Sequence, residues 1–224
     1  RIWCENTKGY DKIAVGTTLK ELSERLCPSV SLSTGREIPV LAALVDNKLK
    51  SLDYKLFNPH NVCFIGYTHP DGRRTYIRSL CFVLQKVVRE MFPDRIMIID
   101  YSLPSGLYCE LRSQDPDNDG LHVTFPVSDA QLDEIGSRMR DLIAADLPFG
   151  KTTMTLEECE TVFGRNGQSE KVGLMKSLGR FNYNVYTLDG SCDTFYGPLA
   201  PSTGYLKTFD LTGFNDGFCL QYPM

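Results

Sequence analysis

The amino-acid sequence predicts an α+β protein of two modest domains. Three observations predict it. The first 65 or so residues alternate strand, helix, strand–turn–strand and strand. A long helical stripe ended by proline follows, and beyond it capped helices are separated by strands. At 224 residues the chain lies between one large domain and two small ones. Its 42% hydrophobic content is enough for a core in each of two domains.

The elements follow in order. Lys12 to Val15 reads as a strand, Gly16 turns the chain, and Thr17 or Thr18 caps a helix from Leu19 to Leu26. Leu19, Leu22 and Leu26 share that helix's buried face. Pro39 to Val45 is a strand, Asp46-Asn47 a turn, Lys48 to Leu52 its continuation, and Asn61 to Ile65 a closing strand. Together they make a β-grasp pattern. Thr, His, Pro, Asp and Gly cluster between Gly66 and Arg74, which marks a boundary.

A helix is expected over Tyr76 to Phe92, with Ile77, Leu80, Cys81, Leu84, Val87, Val88 and Met91 on a wide buried stripe and Pro93 as its stop. Arg95 to Tyr101 and Gly106 to Leu111 pair as strands around a Pro104-Ser105-Gly106 turn. Ser113 to Gly120 is a polar loop, and His122 to Phe125 a short strand. Ser128 with Gln131, and Thr155 with Glu158, spell capping boxes for two helices, the first running to about Leu147 and the second ending at Gly164. Lys151 to Met154 is a strand. Ser169 to Leu178 is a fourth helix, ended by Gly179. From Asn184 onward the chain is strand-like and aromatic.

Composition narrows the function classes. A net charge of -4 and a pI of about 5.4 argue against binding nucleic acid through overall charge. No apolar run approaches the ~20 residues needed to cross a bilayer, so no membrane partner is expected and a cytoplasmic location is. The chain begins with Arg1 and ends on the apolar run Cys219 to Met224, the pattern expected of a piece of a longer protein. Eight cysteines without a CxxC pair, several inside apolar stretches, read as buried free thiols in a reducing compartment.

Most chemistry-bearing motifs fail on context. Ala145 to Thr152 mimics a phosphate loop but follows a helix, contains Pro148 and Phe149, and leads into a strand; it reads as a turn. Asp115-Pro-Asp117-Asn-Asp119-Gly120 copies the opening of a calcium loop, yet Pro126 occupies the place of the closing glutamate. His60, His69 and His122 are isolated, so no metal site is expected. Arg73, Arg74, Arg78, Lys86 and Arg89 form a basic region on the long helix. Arg78, Phe82, Gln85 and Arg89 fall on one stripe opposite the buried face, as a solvated helix face or as a contact for an anion or RNA.

Two stretches carry a family resemblance. Ile13 to Leu22, followed by Val40 to Leu49, resembles a TGS domain, the β-grasp module of threonyl-tRNA synthetases, certain GTPases and stringent-response enzymes. The remainder resembles the editing-type second domain of threonyl-tRNA synthetase through Arg78 to Phe82, Met91-Phe92-Pro93, Pro104 to Tyr108, Asn166 to Val172 and Asp193 to Leu199, in the family's order. The resemblance implies a TGS domain over 1–67 and an editing-type domain over 68–224. It also implies where chemistry has gone. The family's first helix carries a His-x-x-x-His pair where this chain has Arg78 and Phe82. The family's later Cys and His correspond here to Phe195 and Leu199. Arginine is no base near neutral pH, and Phe and Leu move no protons. Lys171 and Asp193 match family cleft residues.

The resemblance therefore implies a non-catalytic ligand- or RNA-binding regulatory region. Its candidate cleft comprises Arg78, Phe82, Tyr108, Lys171, Asp193, Phe195, Tyr196 and Leu199, and takes a small-molecule or nucleotide ligand or tRNA. An editing hydrolase working through Lys171, Asp193 and Cys192 is the alternative. The same pair of domains precedes a uridine-kinase-type domain in bacterial fusion proteins. On that resemblance a kinase domain in cis, with ATP and magnesium as its own cofactors, is expected beyond Met224, and no cofactor in this region.

Overall fold

The computed structural model describes residues 1–31, 35, 37–113, 124–166 and 168–223, with the backbone alone at 169 and 170. It is a mixed α+β structure that divides into two compact units. One comprises Arg1–Arg78 with Leu147–Tyr205, the other Ser79–Asp146 with Leu206–Met224.

The first unit opens with a hairpin, β1 (Ile2–Cys4) and β2 (Gly9–Asp11). The sequence reading placed its first strand at Lys12 to Val15. Those residues are irregular, because β2 takes the pairing with β1 and leaves Val15 78% exposed. β3 (Thr17–Thr18) leads into α1 (Leu19–Leu26), whose Thr18–Glu21 capping box satisfies the first free backbone donors. Two short strands, β4 (Ser29–Ser31) and β5 (Glu37–Pro39), pair with each other. Then come β6 (Ala42–Val45), β7 (Lys48–Lys50), β8 (Lys55–Leu56) and β9 (Asn61–Ile65).

The main sheet runs β2-β1-β9-β6-β7, with β9 parallel to β1 and antiparallel to β6. Asp46 and Asn47 both have positive φ, the backbone a two-residue hairpin turn demands. Leu19 and Leu22 of α1 pack with Ile2, Val45, Leu56, Val62 and Phe64 in one core.

The long helix α2 spans Pro70–Met91, six residues earlier at its start than the apolar stripe predicts. Proline is suited to the first helical turn, and Asp71 complements the helix dipole there. Gly72 is required, since a Cβ on it would lie 1.9 Å from the Gly66 carbonyl oxygen. Between Ser79 and Val88 every residue of α2 is buried except half-buried Gln85. The expected solvent-facing stripe is therefore corrected: Phe82 is 0% exposed. Lys86 is buried and pairs with Glu90, Arg74 pairs with Asp71, and Arg73 lies over the Tyr67 ring.

The second unit contains β10 (Arg95–Leu103), β11 (Gly106–Ser113), β12 (Thr124–Phe125) and α3 (Asp129–Ala144), the last capped by Ser128 and Gln131 as read from the sequence. The calcium-like Asp115 to Gly120 stretch and His122 lie outside the described residues.

The chain then completes the first unit with β13 (Gly150–Thr155), α4 (Leu156–Arg165), α5 (Ser169–Leu178), β14 (Asn182–Leu188) and β15 (Ser191–Thr194). Last come β16 (Asp210–Phe214) and β17 (Gly217–Gln221), which close the second unit's sheet in the order β10-β11-β17-β16. Ala145 to Thr152 is a helix-to-strand turn in which Pro148 bridges Ser202. All eight cysteines are free thiols, seven of them buried. No helix among the described residues is long and apolar enough to cross a membrane.

Leu22→Ala, which empties a fully buried position of the first core, is expected to cost ~2–5 kcal/mol. Thr18→Ala, which removes only the cap of the same helix, is expected to cost ~1 kcal/mol. Urea unfolding of both variants checks the order.

Candidate functional site

Register decides which side chains share a face of the antiparallel sheet β13-β14-β15. Lys151 stands opposite Tyr186, and Tyr186 opposite Asp193, so the three project from one side. Val185 opposite Thr194 and Thr187 opposite Cys192 face the other way. There Tyr183, Val185 and Cys192 pack with Cys159 and Phe163 of α4 and Val172 and Met175 of α5. One face is core, and the Lys151–Tyr186–Asp193 row occupies the other.

Tyr186 is the centre of that face. It is 3% exposed, its hydroxyl donates to the Gly197 carbonyl at 2.9 Å, and the Phe195 ring meets it edge-on at 6.0 Å. Burial pushes its phenol up to about 12, with Asp53 acting in the same sense and Arg78 in the opposite one.

Arg78 reaches the same loop from α2. Its Nε and Nη2 donate to the Pro198 carbonyl at 3.2 and 3.0 Å, and Nη2 also donates to Thr75 Oγ1 at 3.1 Å. Thr75 is held in turn by its bond to the Asp71 carbonyl. Burial draws the guanidinium below its usual range, with Tyr186 opposing, yet arginine stays charged at neutral pH. Gly197 permits this closure. Its φ of 123° suits glycine, and a Cβ there would lie 2.9 Å from Arg78 Cζ. Two adjacent carbonyls, Gly197 and Pro198, are thus pinned by Tyr186 and Arg78.

At the edge strand β15, Asp193 is buried and both of its oxygens meet Lys171 Nζ, at 2.6 and 2.5 Å. Its Oδ1 also accepts the Thr194 N–H at 2.6 Å. A buried carboxylate with this many charge-assisted bonds is fully occupied. Beside it, the buried Cys192 thiol accepts from Asn166 Nδ2 at 3.1 Å and donates to Gln168 Oε1 at 3.8 Å.

Of the residues singled out in the sequence, Arg78, Asp193, Phe195 and Leu199 border Tyr186 or the Gly197–Pro198 loop, and Lys171 is tied to them only through Asp193. Leu199 is buried, whereas Tyr196 is 70% exposed, with Arg180 over its ring at 5.3 Å. Phe82 and Tyr108 belong to the second unit. There Tyr108 is buried, stacks on Tyr101 at 4.8 Å and meets Phe214 edge-on at 5.9 Å.

Tyr186 is not singled out by the sequence, and Lys151 only within the rejected phosphate-loop spelling. The legible signal was Val185-Tyr186 itself: two consecutive bulky apolar residues inside an alternating strand mean that both faces are covered. Among the described residues, no three His, Cys, Asp or Glu side chains converge as a metal site.

No family model matches the chain. It is similar to threonine–tRNA ligases. The enzyme from Desulforamulus reducens is 28% identical over 199 residues, covering 88% of this chain and 29% of the ligase. Those from Geobacter sp. (strain M21) and Azobacteroides pseudotrichonymphae are 24% and 25% identical, covering 88% and 89% of this chain and 31% and 28% of the ligases. The chain spans under a third of the length of these relatives.

Arg78→Met leaves the Pro198 carbonyl without its donors and is expected to lower stability by ~1–3 kcal/mol in urea unfolding. The raised Tyr186 pKa has a definite sign. Its stabilising effect is complete below the ordinary tyrosine value of ~10 and is lost as pH rises through about 12. Tyr186→Phe is therefore expected to flatten the alkaline fall in melting temperature.

Proposed function

We propose that this region is a threonyl-tRNA-synthetase-type proofreading fold that has lost hydrolysis and kept a binding role, with tRNA or a small nucleotide-like ligand as its partner. The tRNA-related part of the reading rests on similarity to the ligases over 88% of the chain. The non-catalytic part rests on one observation: the guanidinium of Arg78, which by the resemblance stands where the family carries an imidazole, donates to the Pro198 carbonyl. Water activation needs a group that can take a proton near neutral pH. Arginine supplies none, Phe195 and Leu199 supply none, and Asp193 is tied to Lys171.

The same reading assigns residues 1–67 to a TGS domain and 68–224 to the editing-type domain. The strand–helix–strand order and the parallel β1–β9 pairing support the first assignment. It further makes the parent protein a uridine-kinase-type phosphotransferase, whose ATP and magnesium would bind outside this region. A GxxxxGK[ST] loop encoded beyond Met224 is the expected sign, and ligase catalytic motifs there would contradict it.

Hydrolysis decides between this reading and an altered deacylase using Lys171, Asp193 and Cys192. Purified protein incubated with seryl-tRNA is expected to leave the ester decaying at the buffer rate, and Lys171→Ala is expected to change nothing. Deacylation above buffer that Lys171→Ala abolishes would overturn the proposal. Any tRNA binding is expected to weaken steeply with salt, because a chain of net charge -4 must rely on local cations.

A further inference from the structure

A second feature of the first unit lies beside the Tyr186 face. A solvent-open cavity of about 110 Å³ is lined by Lys20, Ser51, Leu52, Asp53, Phe149, Lys151, Tyr186, Leu199, Ala200 and Pro201. At ~30 Å³ per water that is room for about four water-sized groups, far less than a nucleotide occupies, and because the cavity is open part of a bound molecule stays in solvent. Leu52, Leu199, Ala200 and Tyr186 are buried and supply an apolar floor, while Lys20, Asp53 and Lys151 are exposed at the rim.

The three rim charges sit on separately fixed elements. Lys20 opens α1, where its N–H donates to the Leu52 carbonyl at 2.8 Å. Asp53 lies in the following turn, closed by Tyr54 N–H to the Ser51 carbonyl at 3.1 Å and by Ser51 Oγ on the Asp53 carboxylate. Lys151 is locked in β13 opposite Tyr186. Although they line one cavity, none of the three takes part in an ion pair among the described residues.

This pattern selects a ligand class. A simple anion would meet the Asp53 carboxylate, and a simple cation would meet two ammonium groups. A molecule carrying both charges on neighbouring atoms satisfies the rim, and its uncharged part falls on the apolar floor. We infer that this cavity binds a free α-amino acid with a compact apolar side chain. Its carboxylate lies between Lys20 and Lys151 and its ammonium on Asp53. The inference stands on the cavity alone and holds whether or not the Tyr186 face hydrolyses an ester.

The full chain tests it by calorimetry and thermal shift against the free standard α-amino acids, the N-acetyl and carboxamide forms of any that bind, and inorganic phosphate. At least one free amino acid is expected to raise the melting temperature by ~2 °C or more at ten times its Kd. Its N-acetyl and carboxamide forms, each missing one charge, are expected to bind at least tenfold more weakly. Asp53→Asn and Lys151→Gln, both at exposed positions, are expected to keep the ligand-free melting temperature and lose at least tenfold in affinity. No response to any free amino acid at 10 mM (~10⁴ times a micromolar Kd), equal binding of the blocked forms, affinity unchanged in both variants, or a response to phosphate alone would each overturn the inference.

Discussion

The bond between the Arg78 guanidinium and the Pro198 carbonyl is the constraint on which the first unit's candidate functional face depends. Partly withdrawing a cation from water is tolerated only when its donors are met, and half-buried Arg78 directs two nitrogens to one carbonyl while Thr75 takes a further N–H. The glycine beside that carbonyl has no Cβ to obstruct the guanidinium, and Tyr186 closes the neighbouring carbonyl. Loop, helix and sheet are thus fixed around a group that carries charge but moves no proton.

From this follows the division of labour across the sheet β13-β14-β15. Its core face is ordinary packing against α4 and α5. Its other face carries a row of polar side chains whose hydrogen bonds are largely internal: Tyr186 to Gly197, Asp193 to Lys171 and to the Thr194 amide. Polar networks of this kind rigidify and specify a structure when complete. Lys20, Asp53 and Lys151, in no ion pair among the described residues, line the neighbouring cavity instead.

Some of this was legible in the sequence, for identifiable reasons. The capping boxes at Ser128 and Thr155 appear as spelled, and of the two threonines read as a possible first cap Thr18 takes the role, because a cap is a local hydrogen-bond pattern that tertiary context rarely overrides. The first hairpin was missed because β1 and β2 are three residues each, too short for periodicity, and their pairing is set by β9. Phe82 was misplaced for a different reason. Between Ser79 and Val88 the helix is buried almost all round, so a stripe argument finds no polar face there; Lys86 is accommodated by pairing with Glu90, and half-buried Arg78 by the Pro198 carbonyl. In the candidate site, Arg78, Lys171 and Asp193 were found through resemblance. Tyr186, which organises the face, was hidden inside a strand because its role depends on register across two neighbours.

The most direct measurement is the hydrogen exchange of the Arg78 Nε–H, followed by nitrogen-15 NMR with and without uncharged or seryl-charged tRNA. If the guanidinium is held by the Pro198 carbonyl, that proton is strongly protected, and it stays protected when tRNA is added. Exchange as fast as that of free arginine, with or without seryl-tRNA, would show a side chain released from that carbonyl and would contradict the account.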